Sequence, residues 1–366
     1  MGEMREKDDG EGMSGTREEL TGVPGLARLV VVDRTGSTND DLRSALTGVD
    51  GRLDLRAAAA WPHISALWAR RQDAGRGRAG RRWITPPGSA LTVSFVLRPL
   101  VPAAALAWLP LLAGLAARDV VDAILISARA PWRARTKWPN DVVLVPNERA
   151  GEGIATGAGA GTGGGDGAAA APDPAEIPGW GRARKVAGVL AELIPAAGGI
   201  GAGTSAGGAS TANAPAAGTT GAANAPGAAA DADRGAACAV VLGIGVNTGQ
   251  SESELPVPWA TSLRLAGARV EPRALLEPLS ARLDGLVAAW EAGEGDPDAG
   301  DGALGAALRR ACTTLGRRVR VDAPGGVLRG TAVDIAPGLV LRGADGTMRT
   351  VDAGDVSHVR TDGAVD

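Results

Sequence analysis

Tyrosine is absent from this chain of 366 residues, phenylalanine occurs once, and only two cysteines and three lysines are present. Each scarcity excludes something. Cys238 and Cys312 lie far apart, share no C-x-x-C spacing and have no histidine nearby, so neither a disulfide framework nor a zinc site is indicated. No run of ~18 apolar residues free of charge occurs, and the first twenty residues are acidic and polar, which excludes a membrane-spanning helix and a secretory signal. The expected compartment is the cytoplasm. A formal net charge of -3 and the lack of a basic run leave no electrostatic footprint for nucleic acid. What is abundant is glycine, 55 residues, together with alanine, a bias of composition that carries no function by itself.

Because arginine supplies nearly all the cationic charge, the few lysines stand out. Two of the three open compact motifs, Lys137-Trp138-Pro139-Asn140-Asp141 and Lys185-Val186-Ala187-Gly188-Val189-Leu190-Ala191-Glu192. A compact ammonium in an apolar or acidic setting does what a guanidinium cannot imitate.

The chain reads as one large domain with a small appendage. Residues 1–24, rich in Glu, Asp and Gly, are expected to be a disordered leader. Leu29 to Val32 reads as a buried strand, and Ser37-Thr38 offers an N-cap to a helix from about Asn39 to Leu46. Strands are expected at 66–69 and 91–97, a long core-covering helix over 103–126, and further strands within 134–145 and 185–193. Residues 149–183 and 197–236 are dominated by Gly, Ala, Ser, Thr and Pro and cannot supply a core. They read as flexible insertions between strands, since each doubling of a loop costs only ~0.6 kcal/mol. Regular structure resumes with a strand at 238–247, then helices near 261–266, 272–290 and 302–314. From 315 to 366 short β-branched runs alternate with Pro324-Gly325, Pro337-Gly338 and Asp345-Gly346, turn signals at the spacing of a small antiparallel barrel.

Three segments carry candidate chemistry. In Gln72 to Trp83 the glycines at 75, 77 and 80 permit close backbone approach, and the arginines bring planar guanidinium groups suited to phosphate or carboxylate. The segment satisfies G-x-G-x-x-G, but Thr85-Pro86-Pro87-Gly88 follows where a dinucleotide site needs a helix. A solvated arginine loop is the plain alternative. Lys137 to Asp141 sets a cation, an amide and a carboxylate beside an apolar strand, or forms a simple turn. In Lys185 to Glu192, alternation puts Lys185, Ala187, Val189 and Ala191 on one strand face and Val186, Gly188, Leu190 and Glu192 on the other.

In this order, Gly36 to Asn39, Gln72 to Trp83, Lys137 to Asp141, Lys185 to Glu192 and Gly243-Ile244-Gly245-Val246-Asn247 resemble the biotin-protein ligases, over roughly residues 28 to 360 apart from the insertions. The resemblance implies an α+β fold: a mixed sheet with flanking helices of the class II aminoacyl-tRNA synthetase and biotinyl-ligase type over 25–314, then an SH3-like β-barrel over 315–366. It implies that biotin and Mg-ATP form biotinyl-5′-adenylate, and that a lysine of a biotin carboxyl carrier protein then takes the biotinyl group. By the same resemblance, Lys185, Arg78 and Asp141 are catalytic. Ser37, Thr38, Asn39, Gln72, Gly75, Arg76, Arg78, Lys185, Gly188 and Leu190 surround biotin. Arg76, Arg81, Trp83, Lys137, Asn140, Asn247 and Trp259 face the nucleotide, Trp83 as an apolar lid, and Asp141 is the Mg²⁺ ligand. The leader is too short for a helix-turn-helix, so a DNA-binding role is not expected. A monomer or weak homodimer is. The rival readings are a lipoate-protein ligase or related acyl transferase, and a biotin-sensing binder without turnover.

Overall fold

The computed structural model describes residues 13–84, 86–147, 174–196, 238–352 and 354–358. Eight strands form one mixed sheet in the order β1-β2-β3-β4-β8-β7-β6-β5. These are β1 (Met13–Leu20), β2 (Arg28–Thr35), β3 (Ser65–Ala69), β4 (Ala90–Leu97), β5 (Trp132–Lys137), β6 (Asp141–Pro146), β7 (Arg184–Ile194) and β8 (Ala239–Asn247). Only β2 and β3 run parallel; the other neighbours are antiparallel.

Strand alternation divides the apolar residues between two cores. Leu29 and Val31 face the larger one, built with α3 (Leu109–Ser127) and α4 (Leu276–Ala292). Val30 and Val32 face a smaller one with Leu42 and Leu46 of α1 (Thr38–Leu46) and Ala58 of α2 (Leu55–Ala60). All eight residues of β4 are buried, as expected of a strand covered on both faces. A short helix α5 (Ala303–Ala311) leads to a second sheet of β9 (Arg318–Ala323), β10 (Gly326–Ala336), β11 (Gly338–Arg342), β12 (Met348–Val351) and β13 (Asp355–His358), ordered β12-β11-β10-β9-β13.

Several expectations are corrected. Residues 13–20 of the presumed leader are an edge strand. It has little apolar surface, and it is held by its ladder to β2 and by ion pairs, Glu19 with Arg28 at 3.0 Å and Glu18 with Arg70 at 3.5 Å. The helix expected near 261–266 is a single turn: the Leu265 amide bonds the Ser262 hydroxyl, and Gly267 turns the chain at φ 91°. The helix over 103–126 begins as a 3₁₀ segment, Ala103–Trp108. Within the presumed insertion 149–183, residues 174–183 form an ordered turn closed by an Ile177–Gly181 bridge. Residues 148–173 and 197–237 lie outside the described residues.

Candidate active site

On the side of the sheet that packs against α1 and α2, side chains change character along the strands. Under the helices stand Val96 of β4 and Val241 of β8, in a row with Glu192 of β7, and Ile194 two residues further along β7. Moving along the strands, the next cross-strand row is Ser94, Gly243 and Leu190, and the one beyond it Thr92, Gly245, Gly188 and Asp141. Small residues follow where helical cover ends, and a cavity of about 540 Å³ opens there. The two ends of its floor differ.

At one end, α1 begins. Ser37 caps it, its Oγ accepting from the Asp40 amide at 3.4 Å. Gln72 Oε1 accepts from the Thr38 amide at 2.8 Å and lies 3.0 Å from its hydroxyl. The Thr38 hydroxyl is 2.6 Å from Ser94 Oγ, which donates to Asn39 Oδ1 at 2.7 Å, and Asn39 Nδ2 donates to Glu192 Oε2 at 2.8 Å. A Cβ on Gly243 would lie 2.4 Å from the Asn39 amide, so only glycine admits that side chain.

Over the floor lies the arginine-glycine segment. Its Trp83 indole rests on Gly245, where a Cβ would come within 2.6 Å of the ring, and touches Gly188. Gly75 has equally little room, since a Cβ there would lie 2.6 Å from the Trp83 carbonyl. Arg76 pairs with Asp40 and, at 3.5 Å, with Glu192. Arg78 is half-buried and donates to Asn140 Oδ1 at 3.3 Å; burial disfavours its cationic form, opposed by Asp355 and Asp141. Arg81 reaches Asp355 of β13 at 2.5 Å.

Lys185 and Asp141 form an ion pair at 2.6 Å in the middle of the cavity. Simple alternation would have put Lys185 with Ala187 and Val189, which are buried in the larger core. It does not, because a bulge intervenes: Val142 pairs with Ala187 but Val143 with Lys185, leaving Val186 unopposed. One extra residue turns Lys185 to the face of Gly188 and Leu190. There its Nζ would lie 3.2 Å from a Cβ on Gly188, and it sits 5.7 Å from the Trp83 ring. The 259–261 segment fixes the bulge, with the Lys185 amide donating to Trp259 O at 2.7 Å and the Thr261 amide donating to Lys185 O at 2.8 Å.

The far end is assembled from distant segments. Lys137 is buried, donates to the Val356 carbonyl of β13 at 2.6 Å and stands 4.2 Å over the Trp180 ring. Burial lowers its pKa to about 8, with Asp141 opposing that shift and Lys185 adding to it. Trp180 in turn stacks on Trp259, centroids 5.7 Å apart and planes at 11°. Asn140 Nδ2 donates to Val189 O at 2.8 Å, and Asn247 is spent on Thr261 O and Gln250 Nε2, both at 2.9 Å. Asn247 thus lines the cavity as a structural link.

Every residue expected from the sequence to carry function, Gly75 excepted, lines this one cavity, and Gly75 abuts Gln72 and Trp83 at its edge. Three contributors were missed. Ser94 and Glu192 belong to otherwise ordinary strands, although Glu192 is a lone carboxylate in an apolar run. Trp180 lay in a segment dismissed for its glycine, where a tryptophan was itself the signal.

A mixed-sheet cavity with an arginine loop at one edge and a lysine–aspartate pair over a glycine floor offers the groups that an enzyme activating an acid with a nucleotide needs. Comparison with known proteins agrees. Residues 53–205 match the Biotin/lipoate A/B protein ligase family and residues 314–359 the Biotin protein ligase C terminal domain. The chain thus carries matches to both parts of a biotin protein ligase, the ligase family proper and its C-terminal domain. It is 29% identical over 351 residues, 94% of each chain, to the biotin--[acetyl-CoA-carboxylase] ligase of Mycobacterium tuberculosis. Over 118 residues it is 38% identical to the corresponding ligase of Paracoccus denitrificans, covering 32% of this chain and 42% of that one. In fold it resembles the biotin protein ligase of Aquifex aeolicus solved with biotin and ATP, with a TM-score of 0.53 and 19% identity over 91% of this chain and 99% of that one.

Proposed function

We propose that this enzyme joins biotin to ATP as biotinyl-5′-adenylate and then transfers the biotinyl group to a lysine of a biotin carboxyl carrier protein. The observation that carries the reading is the Lys185–Asp141 pair on a glycine floor, between a hydrogen-bonding end suited to a small polar ring and an aromatic end suited to a base. In the first step a biotin carboxylate oxygen attacks the α-phosphorus and pyrophosphate leaves. Two anions must meet, and the Lys185 ammonium, held by the bulge, offsets their repulsion without having to reorganise. Arg78, beside Asn140, is placed to take a phosphate or carboxylate oxygen. In the second step the acceptor amine attacks the activated carbonyl, loses a proton, and AMP leaves. Water must be kept out meanwhile, and Trp83 with its loop covers the floor for that purpose.

Ser37, Thr38, Asn39 and Gln72 form the biotin end in this reading, with Gly75, Arg76, Gly188 and Leu190 beside it. Arg81, Lys137 and Trp259 border the nucleotide. Magnesium enters as the partner of ATP. Among the described residues no group of three or more His, Cys, Asp or Glu side chains forms a cage for a metal, whereas a single carboxylate plus phosphate oxygens suits Mg²⁺. Asp141, beside Lys185, is the carboxylate that would hold it. The acyl-transferase alternative lacks its nucleophile, since burial raises the pKa of Cys238 and this residue does not line the cavity.

Pyrophosphate–ATP exchange with biotin, lipoate, octanoate or no acid tests the reading. Exchange only with biotin is expected. Exchange with lipoate or octanoate would move the protein to the sister activity, and none with any acid would leave a binder without turnover.

A further inference from the structure

Glu192 does not line the cavity, yet it terminates the hydrogen-bond chain at the end assigned to biotin. An ionised carboxylate only accepts, and here it receives Asn39 Nδ2 at 2.8 Å and Arg76 at 3.5 Å. That fixes which way the Asn39 amide points. Its oxygen must then face Ser94, whose single proton is spent on it at 2.7 Å. The Thr38 hydroxyl, 2.6 Å from Ser94 Oγ, must supply the proton of that contact, because Ser94 has none left. The same hydroxyl lies 3.0 Å from Gln72 Oε1, but that oxygen already accepts from the Thr38 amide at 2.8 Å, so the shorter contact to Ser94 takes the proton. The protons of the chain thus all run toward Glu192.

We infer that Glu192 is a positioning residue that sets the donor–acceptor polarity of this end of the cavity. With Glu192 in place, Thr38 and Ser94 offer only lone pairs to a ligand and so select an N–H donor. Ser37, whose oxygen accepts from the Asp40 amide, keeps its proton for a neighbouring carbonyl. Lone pairs beside a hydroxyl donor match a cyclic urea, which carries N–H and C=O side by side, and they do not match a dithiolane. The inference rests on the biotin-ligase reading and extends it to a residue that never touches the substrate. Through Arg76 the same carboxylate also tethers the arginine-glycine loop.

The test is steady-state exchange kinetics on Glu192→Ala, Glu192→Gln, Asn39→Ala and the double variant Glu192→Ala/Asn39→Ala, with biotin and ATP varied separately. Glu192→Ala is expected to raise KM for biotin about tenfold or more, the scale of a lost hydrogen bond to a charged group, with KM for ATP within about twofold of wild type. Glu192→Gln, which keeps one acceptor oxygen, falls between. The double variant is expected to match the more affected single variant, since an unoriented Asn39 contributes nothing further. A biotin KM unchanged in Glu192→Ala, equal rises in both KM values, or additive effects in the double variant would each overturn the inference while leaving the ligase reading intact. Wild-type protein that neither binds nor activates biotin would remove both.

Discussion

The two ends of the cavity are built in different ways. At the end proposed for biotin, Thr38, Asn39, Gln72, Ser94 and Glu192 stand on adjoining elements of one sheet and its capping helix and bond directly to one another. At the end proposed for the nucleotide, Lys137, Trp180, Trp259 and Val356 come from four separate stretches of chain and touch through a cation over a ring, a stack and one bond from an ammonium to a backbone carbonyl. One end is fixed by strand register; the other exists only while the second sheet and the 174–183 turn stay docked. Substitutions at the first should therefore alter affinity for the acid and those at the second affinity for the nucleotide, with Lys185 between them serving both.

Lys185→Ala should have the largest effect, a loss of ~10² to 10³ in the rate of biotin-dependent pyrophosphate exchange with thermal unfolding little changed. Retained exchange would take Lys185 out of the chemistry. Trp180→Ala should change KM for ATP several-fold and leave KM for biotin within about twofold, an aromatic pair being worth ~0.5–1.5 kcal/mol; a change in the biotin KM alone would dissolve the contrast between the two ends.

The docking of the second sheet can be read by pH. Lys137 has its pKa lowered to about 8 in the fold, so between about 8 and the ordinary lysine value the unfolded chain holds the extra proton. Stability should rise with pH across that window, the penalty of the buried charge being fully present below it. His358, lowered to about 3 by burial and by Lys137 and Arg317, gives the same sign on the acid side: stability is lost as pH falls from about 6.5 toward 3. Denaturant unfolding across pH should show the alkaline slope in wild type and not in Lys137→Met, and the acid slope should weaken in His358→Gln. The smallest effect is expected from Arg81→Ala, which removes an exposed ion pair to Asp355 and should change stability by no more than ~1 kcal/mol.

Much of this was legible beforehand where local chemistry decides. Ser37 caps α1 as its sequence suggests, the apolar runs at 29–32 and 91–97 are buried strands, and turn dipeptides such as Asp345-Gly346 mark the ends of the small strands. What escaped depends on partners far away in the chain. No pattern in residues 185–192 announces the bulge at Val186, because the strand it is measured against is β6. Met13–Leu20 pairs through its backbone and its charges, which no hydrophobic periodicity reveals. The strand at 355–358 is short and only partly apolar, yet it carries the carbonyl and carboxylate that meet Lys137 and Arg81.

The place of β8 has a consequence for how the molecule is made. It lies between β4 and β7, pairing Ala90 with Asn247 and Ala187 with Val246, so it alone joins the strands that lead to Ser37 and Gln72 to those that carry Asp141 and Lys185. During synthesis β4 therefore waits for residues about 150 positions further on, roughly 8 to 30 seconds at ordinary ribosome speeds. Throughout that interval the edges of β4 and β7 that β8 will cover stand open, a hazard for association between nascent chains. The floor of the reaction chamber is therefore complete only once 239–247 is in place, because the two half-sheets otherwise meet only through side chains and loops, as Asn39 meets Glu192 and Arg78 meets Asn140.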